Sequence, residues 1–156
     1  MKTIKLAKFI LIAILIPSTA LAEIISGEVI KISDGDTLTI LTDTNVQLKI
    51  RLTEIDAPEK NQAFGNVSKQ SLSALCFRKK AIVKTTAKDR YGPVLGRVTC
   101  AGLDVNAEQI KTGMAWVYDK YATDKSLYEL QEQAKGNKLG LWTDPHPTPP
   151  WLFRHQ

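Results

Sequence analysis

The chain reads as an α+β domain built around a five-stranded sheet. Period-two alternation of β-branched residues fills its first third, two further short alternating runs follow a helical stretch, and two capped helical patterns close the domain.

From Glu23 to Thr53 the alternation is broken by turn residues at 33–35 and 42–45, which predicts a three-stranded meander. In its third strand Val46, Leu48, Ile50 and Leu52 share one face and Gln47, Lys49, Arg51 and Thr53 the other, so Arg51 projects away from the aliphatic row. After Pro58, residues 63–77 carry Val67, Leu72, Leu75 and Cys76 at the spacing of an amphipathic helix. Residues 81–86 and 94–99 read as two more strands, joined by the polar connection AKDRYGPVLG with Gly92 and Pro93 as turn formers. Residues 104–112 read as a helix capped by Asp104 and stopped by Gly113, and 126–135 as a longer one stopped by Gly136. Beyond Trp142, TDPHPTPPW holds too many prolines for regular structure.

The first 22 residues read as a secretory signal peptide: Lys2, Lys5 and Lys8 precede the apolar run 9–16, and Ala20-Leu21-Ala22 follows. The run is too short for a bilayer, which needs roughly 20 apolar residues. The expectation is a secreted or periplasmic protein cleaved after Ala22, without stable membrane association. The organisation is then leader 1–22, domain 23–143 and proline-rich tail 144–156. Removing three leader lysines from 21 basic residues leaves 18 against 16 acidic, a net charge of +2 instead of +5. Basicity alone therefore says little about partners. Both cysteines, Cys76 and Cys100, lie in the exported part, where a disulfide is the default and two buried free thiols the alternative.

The two histidines, His146 and His155, both lie in the tail, which disfavours an imidazole general base, an HExxH zinc site and a Ser-His-Asp triad. GxSxG, GxxxxGK[ST] and GxGxxG motifs are absent. Carboxylates and arginines remain. Asp36, in the turn DGDT, and Asp56, in RLTEIDAPE, stand at separate strand ends. Two carboxylates meeting in space would make an oxygen site for a hard divalent cation, calcium or magnesium. Beside such an ion Arg51 could clamp a phosphate and Glu59 could take a proton from an attacking water. Glu54, in the same stretch, has no such role and reads as a surface carboxylate.

DGDT, then RLTEIDAPE about fifteen residues later, then DRYG, with LDVNAEQIKTGMAWVY and GLW further on, resembles the staphylococcal nuclease (thermonuclease) family in order and spacing. The resemblance implies an OB-fold-like β-barrel with three helices. It also implies a calcium-dependent nuclease acting on DNA and RNA and leaving 3′-phosphate ends. By position, Asp36, Asp56 and the main-chain carbonyl of Ala57 would hold Ca2+, Glu59 would serve as general base, and Arg51 would stabilise the transition state.

The family carries a second catalytic arginine directly after DRYG, where this sequence has Pro93. Arg90, across a tight turn, and Arg97, about 13 Å along an extended strand, are the arginines flanking that gap. Arg90 is taken as the partial substitute, with an ordinary surface role as the alternative for both. Tyr91 and Tyr121 are candidates to stack on a base or to hydrogen-bond a phosphate, whereas Trp116, Tyr118, Trp142 and Trp151 read as packing residues. The alternative function is an OB-type nucleic-acid-binding module with weakened catalysis. A monomer is expected in either case.

Overall fold

The computed structural model of the protein describes residues 23–88 and 92–155. The predicted meander forms as β1 (Ile24–Ile32), β2 (Thr37–Thr42) and β3 (Gln47–Leu52), each antiparallel to the next. β4 (Lys80–Lys88) and β5 (Val94–Cys100) pair antiparallel with each other. β4 also lies antiparallel to β1, and β5 returns to β3 as the one parallel pair. The order β3-β2-β1-β4-β5, closed back onto β3, is a five-stranded mixed barrel. Closure pairs the two strands, β3 and β5, that would otherwise be sheet edges and creates two rims on which loops can converge.

The alternation read from sequence is the alternation that fills the barrel. Val29, Leu38, Ile40, Ile50, Val83 and Val98 are fully buried inside it. On β3 burial begins only partway along, because Val46, at the turn before the strand, is half exposed. Burying such aliphatic side chains stabilises the fold by about 1.5–3 kcal/mol each before entropy is counted.

α1 (Gly65–Cys76) packs through Gly65, Ser68, Leu72 and Cys76. Val67, expected on the inner face, is instead exposed. One residue is about 100° round a helix, and the inward place goes to Ser68, whose hydroxyl donates to the Met114 carbonyl at 2.6 Å. Cys76 and Cys100 form a disulfide, with Cα atoms 5.4 Å apart, tying the end of α1 to the end of β5.

α2 (Val105–Lys111) is capped as predicted: the Asp104 side chain accepts from the Ala107 N–H at 3.1 Å. α3 (Ser126–Gly136) buries Leu127, Gln131 and Ala134. A short ladder pairs Ile55–Asp56 with Trp116–Val117 beside the barrel rim. The tail corrects the expectation of irregular structure: Pro150 opens α4 (Pro150–Phe153), in the first turn, where a missing N–H breaks no helical hydrogen bond. Among the described residues no helix is long and apolar enough to cross a membrane. The proposed leader, together with Arg90 and Tyr91, lies outside the described residues.

Candidate active site

The turn between β1 and β2 is built to hold one carboxylate inward. Asp34 Oδ1 accepts from the Asp36 N–H at 3.1 Å, and the Asp36 carbonyl accepts from Leu52 N–H at 2.8 Å, which fastens the turn to the end of β3. Gly35 is required here for space. A Cβ at this position would sit 1.8 Å from Ser68 Oγ and 2.8 Å from the Ala57 Cβ. From below, Gln109 Nε2 donates to the Gly35 carbonyl at 2.7 Å.

Asp56 arrives from the other side. Glu54 adopts a left-handed φ of 66°, turning the chain out of β3 so that Ile55 and Asp56 pair with Val117 and Trp116. The two aspartates then meet across Arg51. Arg51 Nη1 donates to Asp36 Oδ1 at 2.7 Å and Nη2 to Asp56 Oδ1 at 2.8 Å. Both acids are deeply enclosed, with side chains 3% and 1% exposed. Asp36 also accepts from the Thr37 hydroxyl and from the Ala57 N–H, both at 2.8 Å.

Burial pushes the Asp36 carboxyl up to about 7; Arg51 pulls against that rise, and Asp34 adds to it. Burial alone would lower the Arg51 guanidinium, but Asp36 and Asp56 outweigh it and leave Arg51 raised and charged. Burial thus disfavours the charged form of Asp36, and a cation added beside it would favour that form.

Two buried carboxylates within the span of one guanidinium offer hard oxygen donors, and a divalent ion can complete its shell with carbonyls and water. The residues fit such an ion on that donor chemistry. Among the described residues no group of three or more His, Cys, Asp or Glu side chains is arranged to hold a metal. Ala57, predicted to contribute its carbonyl, enters the site through its N–H to Asp36.

Glu59 stands at the solvent edge, 39% exposed, and joins the cluster through a residue not anticipated from sequence. Arg154, just after α4, donates from Nη1 to Glu59 Oε1 at 2.6 Å and to Asp56 Oδ1 at 3.2 Å, and from Nη2 to Asp56 Oδ2 at 2.7 Å. These bonds, Asp56 foremost and then Glu59, raise its pKa and keep it charged. The tail that delivers it is held in place. Trp151 stacks on Tyr118 and meets Trp116 edge-on, and Pro150 is buried. Gln62 Nε2 donates to the Thr148 carbonyl at 2.5 Å, while its Oε1 accepts from the Glu59 N–H at 3.0 Å. The only sequence signal was the apolar group Trp151-Leu152-Phe153 after the prolines, which implies an anchored segment but not its destination.

The structure ties Arg97 to carboxylates outside the Asp36–Asp56 cluster. Its Nε donates to Asp104 at 2.8 Å, and its Nη1 donates to Asp124 at 2.9 Å and to Glu54 at 3.1 Å. Glu54 is accordingly no simple surface acid. Its side chain accepts from the Thr123 N–H and hydroxyl and from the Asp124 N–H, at 2.7–2.9 Å. Burial works to raise its carboxyl, but these donors and Arg97 win and leave it lowered. This network fastens the 118–125 loop to the exit of β3. That loop walls a groove of about 570 Å³ leading away from Arg51, lined by Leu95, Tyr118, Tyr121 and Thr123. Tyr121 is exposed there, with its ring edge-on to Tyr118. Pro93, half-buried ahead of β5, brings no donor of its own.

Residues 49–144 match the staphylococcal nuclease homologue family. An uncharacterized endonuclease of Haemophilus influenzae is 47% identical over 128 residues, covering 82% of this chain and 72% of that protein. Protein ParB of Escherichia coli is 39% identical, covering 94% of this chain and 88% of that protein. Micrococcal nuclease of Shigella flexneri is 41% identical over 140 residues, covering 82% and 79%. With its closed five-stranded barrel and this match over most of its length, the chain belongs to the family of staphylococcal nuclease homologues.

Proposed function

We propose that the protein is an exported, divalent-cation-dependent nuclease, with calcium as its ion, that hydrolyses phosphodiester bonds of DNA and RNA and leaves 3′-phosphate ends. One observation carries this reading: Asp36 and Asp56, from separate segments and both buried, converge on the guanidinium of Arg51. Burying two carboxylates this close is costly unless cations oppose them. A protein that only bound a polyanion would gain nothing from them. The names of its relatives, an endonuclease and a nuclease, point the same way.

Asp36 and Asp56, with the Ala57 carbonyl, would hold the cation. When bound, it supplies positive charge at the phosphate oxygens and makes water a better nucleophile. Arg51 binds a non-bridging phosphate oxygen and opposes the charge that grows there in the transition state. Glu59, at the solvent edge, accepts a proton from the attacking water. The water oxygen bonds to phosphorus as the bond to the 5′ oxygen breaks in line. The 5′ oxygen departs with the bonding electrons and is protonated by solvent, leaving a phosphate on the 3′ side. The groove offers the exposed Tyr121 ring as a stacking surface for bases, a contact that does not depend on base identity and suits both DNA and RNA.

The test is plasmid digestion by the purified protein with calcium and with chelator. Calcium-dependent cleavage, reduced by about 10²-fold or more in Glu59→Gln, supports the reading. Retarded plasmid mobility without cleavage in any divalent cation would replace it with a nucleic-acid-binding module. N-terminal sequencing of the exported protein should begin at Glu23.

A further inference from the structure

We infer that Arg154 is a catalytic residue: the tail places a second guanidinium opposite Arg51, where it binds the same substrate phosphate. This rests on the nuclease reading above. Arg154 lies outside the residues matched to the family, which end at 144.

Geometry is the first ground. Arg51 Nη2 and Arg154 Nη1 donate to the same atom, Asp56 Oδ1, at 2.8 and 3.2 Å. The two guanidiniums therefore flank one carboxylate oxygen, with these nitrogens no further apart than the two bonds together. A single phosphate could bridge that separation with a charge-assisted hydrogen bond to each. Arg154 also reaches Glu59, so its position overlaps the place where the attacking water would be deprotonated. Its side chain is 35% exposed, so it stands on the solvent side of the cluster, from which a ligand would arrive.

Charge is the second ground. Asp34, Asp36, Asp56 and Glu59 bring four carboxylates to this rim. With Arg51 alone the cluster would stay net negative after a dication joined it, and would repel a phosphodiester. Arg154 makes that total neutral. A cation taking lone pairs of Asp56 would also release hydrogen bonds of Arg154 for the phosphate.

Attachment is the third ground. Trp151 on Tyr118 and Trp116, buried Pro150, and the Gln62–Thr148 bond fix the backbone within a few residues of Arg154. Gln62 links the tail to the Glu59 backbone directly. The guanidinium is thus preorganised, as an electrostatic catalyst requires.

The experiment uses the full exported chain and compares Arg154→Ala and Arg154→Lys with the unaltered protein, with Arg78→Gln as a surface control. Cleavage in calcium gives kcat and KM. Affinity for a labelled single-stranded DNA in calcium is measured in a Glu59→Gln background, and tryptophan fluorescence reports whether the tail stays docked. Arg154→Ala should lower kcat by about 10²- to 10³-fold and weaken DNA binding, with the fluorescence unchanged. Arg154→Lys should recover part of the loss, and Arg78→Gln should match the unaltered protein.

Unchanged or faster cleavage in Arg154→Ala, or tighter DNA binding, would make Arg154 a plug on the acids and overturn the inference while the nuclease reading stands. A protein that never cleaves, yet binds DNA less well in Arg154→Ala, would end the nuclease reading and the catalytic role together, leaving a phosphate contact. A kcat loss with altered fluorescence that tail deletion reproduces and Arg154→Lys does not relieve would assign Arg154 to docking and overturn the inference.

Discussion

Trp151 lies stacked on Tyr118, ring centroids 5.4 Å apart and planes within 8° of parallel, so a tail residue braces one of the residues that line the groove leading from Arg51. Trp151→Ala should release the tail. We expect a stability loss of about 1–2 kcal/mol, from one stacked and one edge-on aromatic contact together with lost apolar burial. A chemical unfolding curve measures it. Cleavage should fall in the same variant even where it is fully folded, because Arg154 loses its support.

Gly35→Ala should damage the site from a position that bears no chemistry. The new methyl runs into Ser68 Oγ and the Ala57 Cβ, so either α1 or the Asp34–Thr37 turn must move. Overpacking of this kind costs about 1–3 kcal/mol. Calorimetric titration with calcium should show weakened binding, since Asp36 sits on the displaced turn.

The Arg97 network should give a pH-dependent stability. Glu54 and Asp124 are both lowered. For Asp124 the main cause is the hydrogen bonding of Ser126, helped by Arg97; Glu54 is lowered by its N–H donors and Arg97 against its burial. A carboxylate with a depressed folded-state pKa stabilises the fold above its unfolded pKa and loses that contribution as pH falls through the folded value. Arg97→Ala should therefore cost about 1–3 kcal/mol near neutrality, below a fully buried pair because Arg97 and its partners are partly exposed. The gap to the unaltered protein should narrow in acid. Urea midpoints measured from neutral pH into the acid range test this.

Reduction of the Cys76–Cys100 disulfide should lower stability by roughly 3 kcal/mol, the chain-entropy value for a loop of 24 residues. Cleavage at temperatures well below unfolding should persist, because neither cysteine touches the acid cluster. Paired unfolding curves with and without reductant, and a digestion assay in reductant, examine both halves.

The barrel was legible because its strands obey a local rule: inward aliphatic residues alternate with outward polar ones, and turns carry Asp, Gly and Asn. Asp36, Arg51, Asp56 and Glu59 were legible because they cluster within two short motifs, and the structure brings all four together. Glu54 was misread because its partners are 69–70 residues away at Thr123 and Asp124. Val67 was misread because a hydroxyl, through one hydrogen bond, outcompeted a branched aliphatic for the inward position. Arg154 was invisible for a related reason: a lone arginine after a proline-rich run has no local pattern, and its target lies 98 residues upstream.

That separation has a consequence for biogenesis. A ribosome completes the barrel and the Trp116–Val117 strand that positions Asp56 before it reaches codon 154, so a chain stalled or clipped between them has its acidic cluster but not the second guanidinium. If full-rate hydrolysis needs both, such a polypeptide is a weakened threat to the nucleic acids of the cell that makes it, and full potency waits until the segment carrying Arg154 folds home.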